Sequence, residues 1–149
     1  MTILNTSQKG ALSMPDEDML RAEQGNYRIL LVEDNAADLV LIKRQLEKFW
    51  PDCTVMPVRS IEEAYSTYKN NDFDLMLLDL NLPDGYGPQT VQEVRRFNKR
   101  VPIVVVTGMG ANITVYEALK LGANNVVLKS QILQDDFKEV LSQNLTTAH

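Results

Sequence analysis

Asp79 closes an apolar run, Phe73-Asp74-Leu75-Met76-Leu77-Leu78, and Leu80-Asn81-Leu82-Pro83-Asp84-Gly85-Tyr86-Gly87 follows it. Packing alone does not put a carboxylate between an apolar run and a Pro/Gly loop. Upstream, Arg28-Ile29-Leu30-Leu31-Val32 runs into Glu33-Asp34 in the same way. A third apolar run, Ile103 to Val106, ends on Thr107, and a fourth, Val126-Val127-Leu128, ends on Lys129. Three carboxylates brought together repel, and each holds its proton more tightly unless a cation sits among them. All-oxygen ligation that leaves room for water suits Mg2+ or Mn2+. A carboxylate can also attack phosphorus to form an acyl phosphate. The cation and Lys129 would then neutralise the equatorial oxygens, and the Thr107 hydroxyl would hydrogen-bond one of them. An ionised Asp79 has no proton to lose, so no separate base is needed.

Each residue also has a plainer reading. Glu33 and Asp34 precede a helix, where acidic residues favour the N-terminus. Lys129 at a strand end can snorkel to water. Thr107 is a common strand residue, and its neighbour Gly108 lets another group approach the backbone. The chemical reading rests on the shared position of all five at the same edge.

That edge exists only if the runs are parallel strands. The pattern predicts strands at about 27–33, 53–58, 73–79, 102–107 and 124–129. Helices are expected between and after them, at about 36–49, 61–70, 88–97, 112–121 and 132–144. Leu39, Ile42, Leu46 and Phe49 share one face of the first helix, which Trp50-Pro51-Asp52 stops. Ser60 with Glu63 reads as a capping box, Pro88 suits a first turn, and Gly122 suits a helix end. Strands apolar on both faces imply a central parallel sheet covered by helices. Right-handed crossovers then favour a flavodoxin-like (βα)5 three-layer sandwich with strand order 2-1-3-4-5. In such a sheet ligands bind at the carboxyl ends of the strands.

The 149 residues are expected to hold one domain over 27–146, with a flexible tail at 1–26 and a short one at 147–149. The formal net charge of −5 argues against nucleic-acid and anionic-membrane partners. Cys53 is the single cysteine, so no internal disulfide can form and a reducing compartment is expected. His149 is the single histidine and the last residue, which excludes histidine-based triads and zinc sites. No apolar run nears the ~20 residues of a membrane span, and no signal peptide is evident. The cytoplasm is the expected address.

The runs Leu30-Leu31-Val32-Glu33-Asp34-Asn35, Leu77-Leu78-Asp79-Leu80-Asn81-Leu82-Pro83-Asp84-Gly85, Val104-Val105-Val106-Thr107-Gly108 and Val127-Leu128-Lys129 resemble the receiver domain of two-component response regulators, in particular single-domain ones. The resemblance implies that Asp79 is the phosphoacceptor. It implies Mg2+ (or Mn2+) held by Asp34, Asp79 and the Asn81 carbonyl, with Glu33 acting through water. Pro83, Gly87 and Gly108 would support the loops, while Thr107 and Lys129 would report the phosphoryl group to an output face with Val115, Tyr116, Leu119 and Val126. The implied donor is a sensor histidine kinase or histidine phosphotransfer protein, and the implied output is binding of a further, unidentified protein. A homodimer is left open. Many receivers carry an aromatic residue where Val126 stands and a proline where Ser130 stands. Two alternatives remain. One is a receiver-like module that works without phosphorylation. The other is an aspartate-nucleophile phosphohydrolase, which usually has an acid two residues after the nucleophile, where this chain has Asn81.

Overall fold

The computed structural model describes residues 25–147. The expected tail at 1–26 lies outside them apart from Gly25 and Asn26. Of the expected tail at 147–149, Thr147 belongs to the last helix, and residues 148–149 lie outside the described residues.

Five strands form one parallel sheet: β1 (Arg28–Val32), β2 (Thr54–Val58), β3 (Leu75–Leu78), β4 (Ile103–Thr107) and β5 (Asn125–Leu128). Their spatial order is β2-β1-β3-β4-β5, the order expected from the sequence pattern. Five helices alternate with them: α1 (Ala36–Phe49), α2 (Ile61–Tyr68), α3 (Gln89–Phe97), α4 (Asn112–Lys120) and α5 (Asp135–Thr147). Because successive strand residues point to opposite faces, the apolar runs feed two cores. Leu30, Val32, Met76, Leu78, Ile103 and Val105 pack against Ala64, Val91, Val94 and Ala118 of α2, α3 and α4. Ile29, Leu31, Leu75, Leu77, Val104 and Val106 pack against Ile42 and Leu46 of α1 and Phe137, Leu141 and Leu145 of α5. β3 and β4 are buried throughout, as strands covered on both faces must be. At the two edges lie β2, where Pro57 is exposed, and the four-residue β5.

Local chemistry sets the helix ends. Asn35 is the N-cap of α1, its side chain accepting from the Asp38 N–H at 2.9 Å. Glu33 and Asp34 are therefore not the caps of this helix. Ser60 caps α2 by accepting from the Glu63 N–H, and the Glu63 carboxylate reaches back to the N–H of Arg59, one residue earlier than a capping box requires. Gly122 follows α4 with φ +122°, a value that disfavours side chains. Pro88 precedes the first helical residue of α3.

Two features were not expected. Asn81–Leu82 and Gly85–Tyr86 pair antiparallel in a small ribbon directly after Asp79. Residues Lys129–Gln131 form a 3-10 turn, so α5 begins at Asp135, not at 132. In that turn the Gln131 side chain accepts from the Leu128 N–H at 2.9 Å.

Candidate functional site

The parallel register brings the strand ends together. Val32 is level with Leu78, and Thr107 is level with Leu128. Asp79 therefore emerges one residue beyond β3, and Lys129 one beyond β5. The Asp79 N–H still donates to Val32 O at 3.0 Å, and the Glu33 N–H to Val58 O at 2.9 Å. Both carboxylates thus leave a backbone that the sheet holds rigid.

Asp79 is buried, and its two oxygens have different partners. Oδ1 accepts from the Leu80 N–H at 2.8 Å. Oδ2 accepts from Lys129 Nζ at 3.3 Å. Asp79, Asp34, Asn81, Pro83 and Lys129 line one open, polar cavity of about 680 Å³, with Asn35, Ala36, Asp38 and Leu82 completing its walls.

Lys129 is the hub of the site. Its ammonium donates to Asp38 Oδ2 at 2.7 Å and lies 3.0 Å from Glu33 Oε1. Burial alone would lower its pKa, but the Asp38, Glu33 and Asp79 carboxylates more than reverse that and hold it above the ordinary lysine value. Its side chain is only 21% exposed, so it does not snorkel into open water.

Glu33 lies beneath the cavity and does not line it. Its Oε2 accepts from the Asn35 N–H at 3.0 Å. Its buried Oε1 faces the Lys129 ammonium at 3.0 Å as an ion pair. Burial pushes the Glu33 carboxyl up to about 7; the Asn35 N–H and Lys129 pull it down, and Asp79 adds to the rise.

The expected trio of Glu33, Asp34 and Asp79 is only partly assembled. Among the described residues, no three His, Cys, Asp or Glu side chains converge as a metal cluster. Asp34 and Asp79 share the cavity with Asn81, whereas Glu33 turns toward Lys129. Asp34, Asp79 and Asn81 all offer oxygen donors, and the cavity they share has room for water. These features fit a small hard dication.

Thr107 is buried at the end of β4, but it stands back from the cavity. Its hydroxyl accepts from the Met109 N–H at 3.1 Å. A Cβ at Gly108 would meet nothing within 4 Å, so close approach to the backbone does not require glycine there in this conformation. Gly87 is different, because its φ of +82° favours glycine. On the proposed output face Tyr116 and Leu119 are exposed, Val115 is half-buried, and Val126 packs against the core.

Sequence reasoning missed two residues. Asp38 was one, though a signal was present: it is an acidic residue in the first turn of α1, directly behind the Glu33-Asp34 pair. Asp84 was the other. Its carboxylate accepts from the N–H groups of Ile61 and Glu62 at 2.9 and 3.0 Å, tying the ribbon to the start of α2. A Cβ at Gly85 would collide with the Ile61 side chain, so the ribbon seats tightly there.

The sequence and the fold are similar to those of known proteins. Residues 29–141 match the family model of the response regulator receiver domain. A chemotaxis protein CheY homolog of Campylobacter jejuni is 30% identical over 119 residues, 76% of this chain and 92% of that protein. The transcription factor SKN7 of Saccharomyces cerevisiae is 30% identical over 141 residues, but the chain spans only 22% of its length. Among solved structures, the phosphorylated cyanobacterial phytochrome response regulator RcpA is 32% identical with TM-score 0.69; the match covers 83% of this chain and 97% of that one. The Mn2+-bound form of response regulator Rcp1 is 33% identical with TM-score 0.63, covering 76% and 88%. The sheet order, the strand-end residues and these matches agree: the chain belongs to the response regulator receiver domain family.

Proposed function

We propose that residues 27–146 act as one phosphoacceptor unit, modified on Asp79 by the phosphohistidine of a sensor histidine kinase or phosphotransfer protein in the cytoplasm. One observation carries this reading. The Asp79 carboxylate stands on a rigid strand end, faces the Lys129 ammonium at 3.3 Å, and opens into a cavity shared with Asp34 and Asn81. Asp79 Oδ2 attacks phosphorus while the P–N bond to the donor imidazole breaks, and the leaving nitrogen keeps the electron pair and takes a proton. Lys129 neutralises an equatorial oxygen, and the Thr107 hydroxyl leaves the Met109 N–H to bind another. Asp34, Asp79 and the Asn81 carbonyl would hold Mg2+ or Mn2+, with Glu33 behind them. When bound, the cation supplies positive charge to the transferring group. The modified surface then binds a further protein. RcpA, solved in a phosphorylated form, and Rcp1, solved with Mn2+, support the reading by likeness.

The test is intact-protein mass after incubation with acetyl phosphate and MgCl2. Wild type should gain the mass of one phosphoryl group, and Asp79→Asn should gain none. Equal gain in both, or no gain in wild type, would remove Asp79 from the role.

A further inference from the structure

The carboxylate nearest the Lys129 ammonium belongs to Asp38, at 2.7 Å, not to Asp79 at 3.3 Å. Asp38 is placed there by the start of α1, where its own N–H is tied to the Asn35 side chain at 2.9 Å. It also lines the cavity that Asp79 faces. Its backbone is therefore held by α1 independently of β3, and modifying Asp79 does not remove it.

An ammonium has three protons to donate. Here one serves Asp38, one serves Asp79, and the group also faces Glu33 at 3.0 Å. A phosphoryl group on Asp79 brings new acceptor oxygens and about two negative charges. It must recruit Lys129 against the hold of Asp38, and it must also sit near the Asp38 charge. Both effects weaken the hold of the site on the anion.

We propose that Asp38 is a positioning residue that keeps Lys129 engaged in the unmodified site and so lowers the affinity of the site for a phosphoryl group. This rests on Asp79 being the phosphoacceptor. Asp38 and Lys129 remain partly solvated, at 31% and 21% side-chain exposure, so neutralising Asp38 is worth about three- to tenfold in affinity.

The probe is beryllofluoride, which forms a phosphoryl-like adduct on a carboxylate, titrated by amide NMR at saturating Mg2+. Wild type, Asp38→Asn, Asp38→Glu and Asp79→Asn are compared, and Mg2+ affinity is measured separately without fluoride. Asp38→Asn should bind the anion about three- to tenfold more tightly than wild type while binding Mg2+ no better. Asp38→Glu should return anion affinity toward wild type. Loosening of the fold would weaken both ligands, so opposite behaviour of anion and cation isolates the charge effect. Anion affinity in Asp38→Asn equal to or below wild type would overturn the role of Asp38 and leave Asp79 standing. Binding that is the same in wild type and Asp79→Asn would overturn the phosphoacceptor reading, and this inference with it.

Discussion

At the scale of single residues the site is an excess of carboxylates around one ammonium, and its pH behaviour follows. Glu33 holds a proton in the folded chain up to a pH of about 7, against an ordinary value of 4.5. A raised carboxyl adds stability below its unfolded pKa and loses it as pH climbs through the folded one. Wild type should therefore lose roughly 1–2 kcal/mol between pH 5 and 8, in metal-free buffer, relative to Glu33→Gln. Parallel melting curves for the two proteins across that range would refute it. Mg2+ should raise the wild-type melting temperature by binding the folded chain, and Asp34→Asn should reduce that gain. Identical shifts in both would exclude Asp34 as a ligand. Lys129→Ala strips three carboxylates of their partner, so it should slow phosphoryl uptake from acetyl phosphate at least ~10-fold and lower stability by about 1–3 kcal/mol. A variant that takes up phosphate at the wild-type rate would show Lys129 to be structural only.

At the scale of elements, the strands and helices were legible because their apolar periods are clean and their ends carry recognisable stops. Strand ends were legible for the same reason: Glu33, Asp79, Thr107 and Lys129 each break an apolar run. What escaped was too short or too distant to show a period. The ribbon has two residues per strand, and the turn at Lys129–Gln131 has only three, closed by the Gln131 side chain and one backbone bond. Asp84 acts on a helix that starts 23 residues before it, and no local pattern announces such a cap. Removing it tests the connection. Asp84→Ala should cost about 1 kcal/mol and lower amide-exchange protection in the first turn of α2, with Asp84→Asn intermediate. Unchanged protection there would mean that Ser60 suffices. Gly87→Ala should cost about 1–2 kcal/mol, because its backbone lies in the left-handed region.

At the scale of the whole molecule, a change at Asp79 must reach a surface. Thr107 is the candidate link: it is buried at the strand end, and its hydroxyl is engaged with the loop N–H of Met109. With Asp79 as the phosphoacceptor, drawing that hydroxyl toward a phosphoryl oxygen would release Met109, and α4 with its exposed Ile113, Tyr116 and Leu119 begins three residues later. Val126 is a valine packed against the core, so the aromatic residue many receivers carry at this position has no counterpart here. Beryllofluoride should shift amides of residues 107–120 as well as those near 33–35 and 79–87. A silent α4 would place the output elsewhere.

The borders of the sheet bear on how copies of this chain can meet. Pro57 has no N–H to offer an incoming strand, and β5 is only four residues long. Neither margin is a good template for backbone pairing with a second molecule. Any contact between copies would then fall to helix and loop side chains. Contacts of that kind can respond to a single added charge, whereas a continuous ladder between two backbones would persist whatever happened at Asp79.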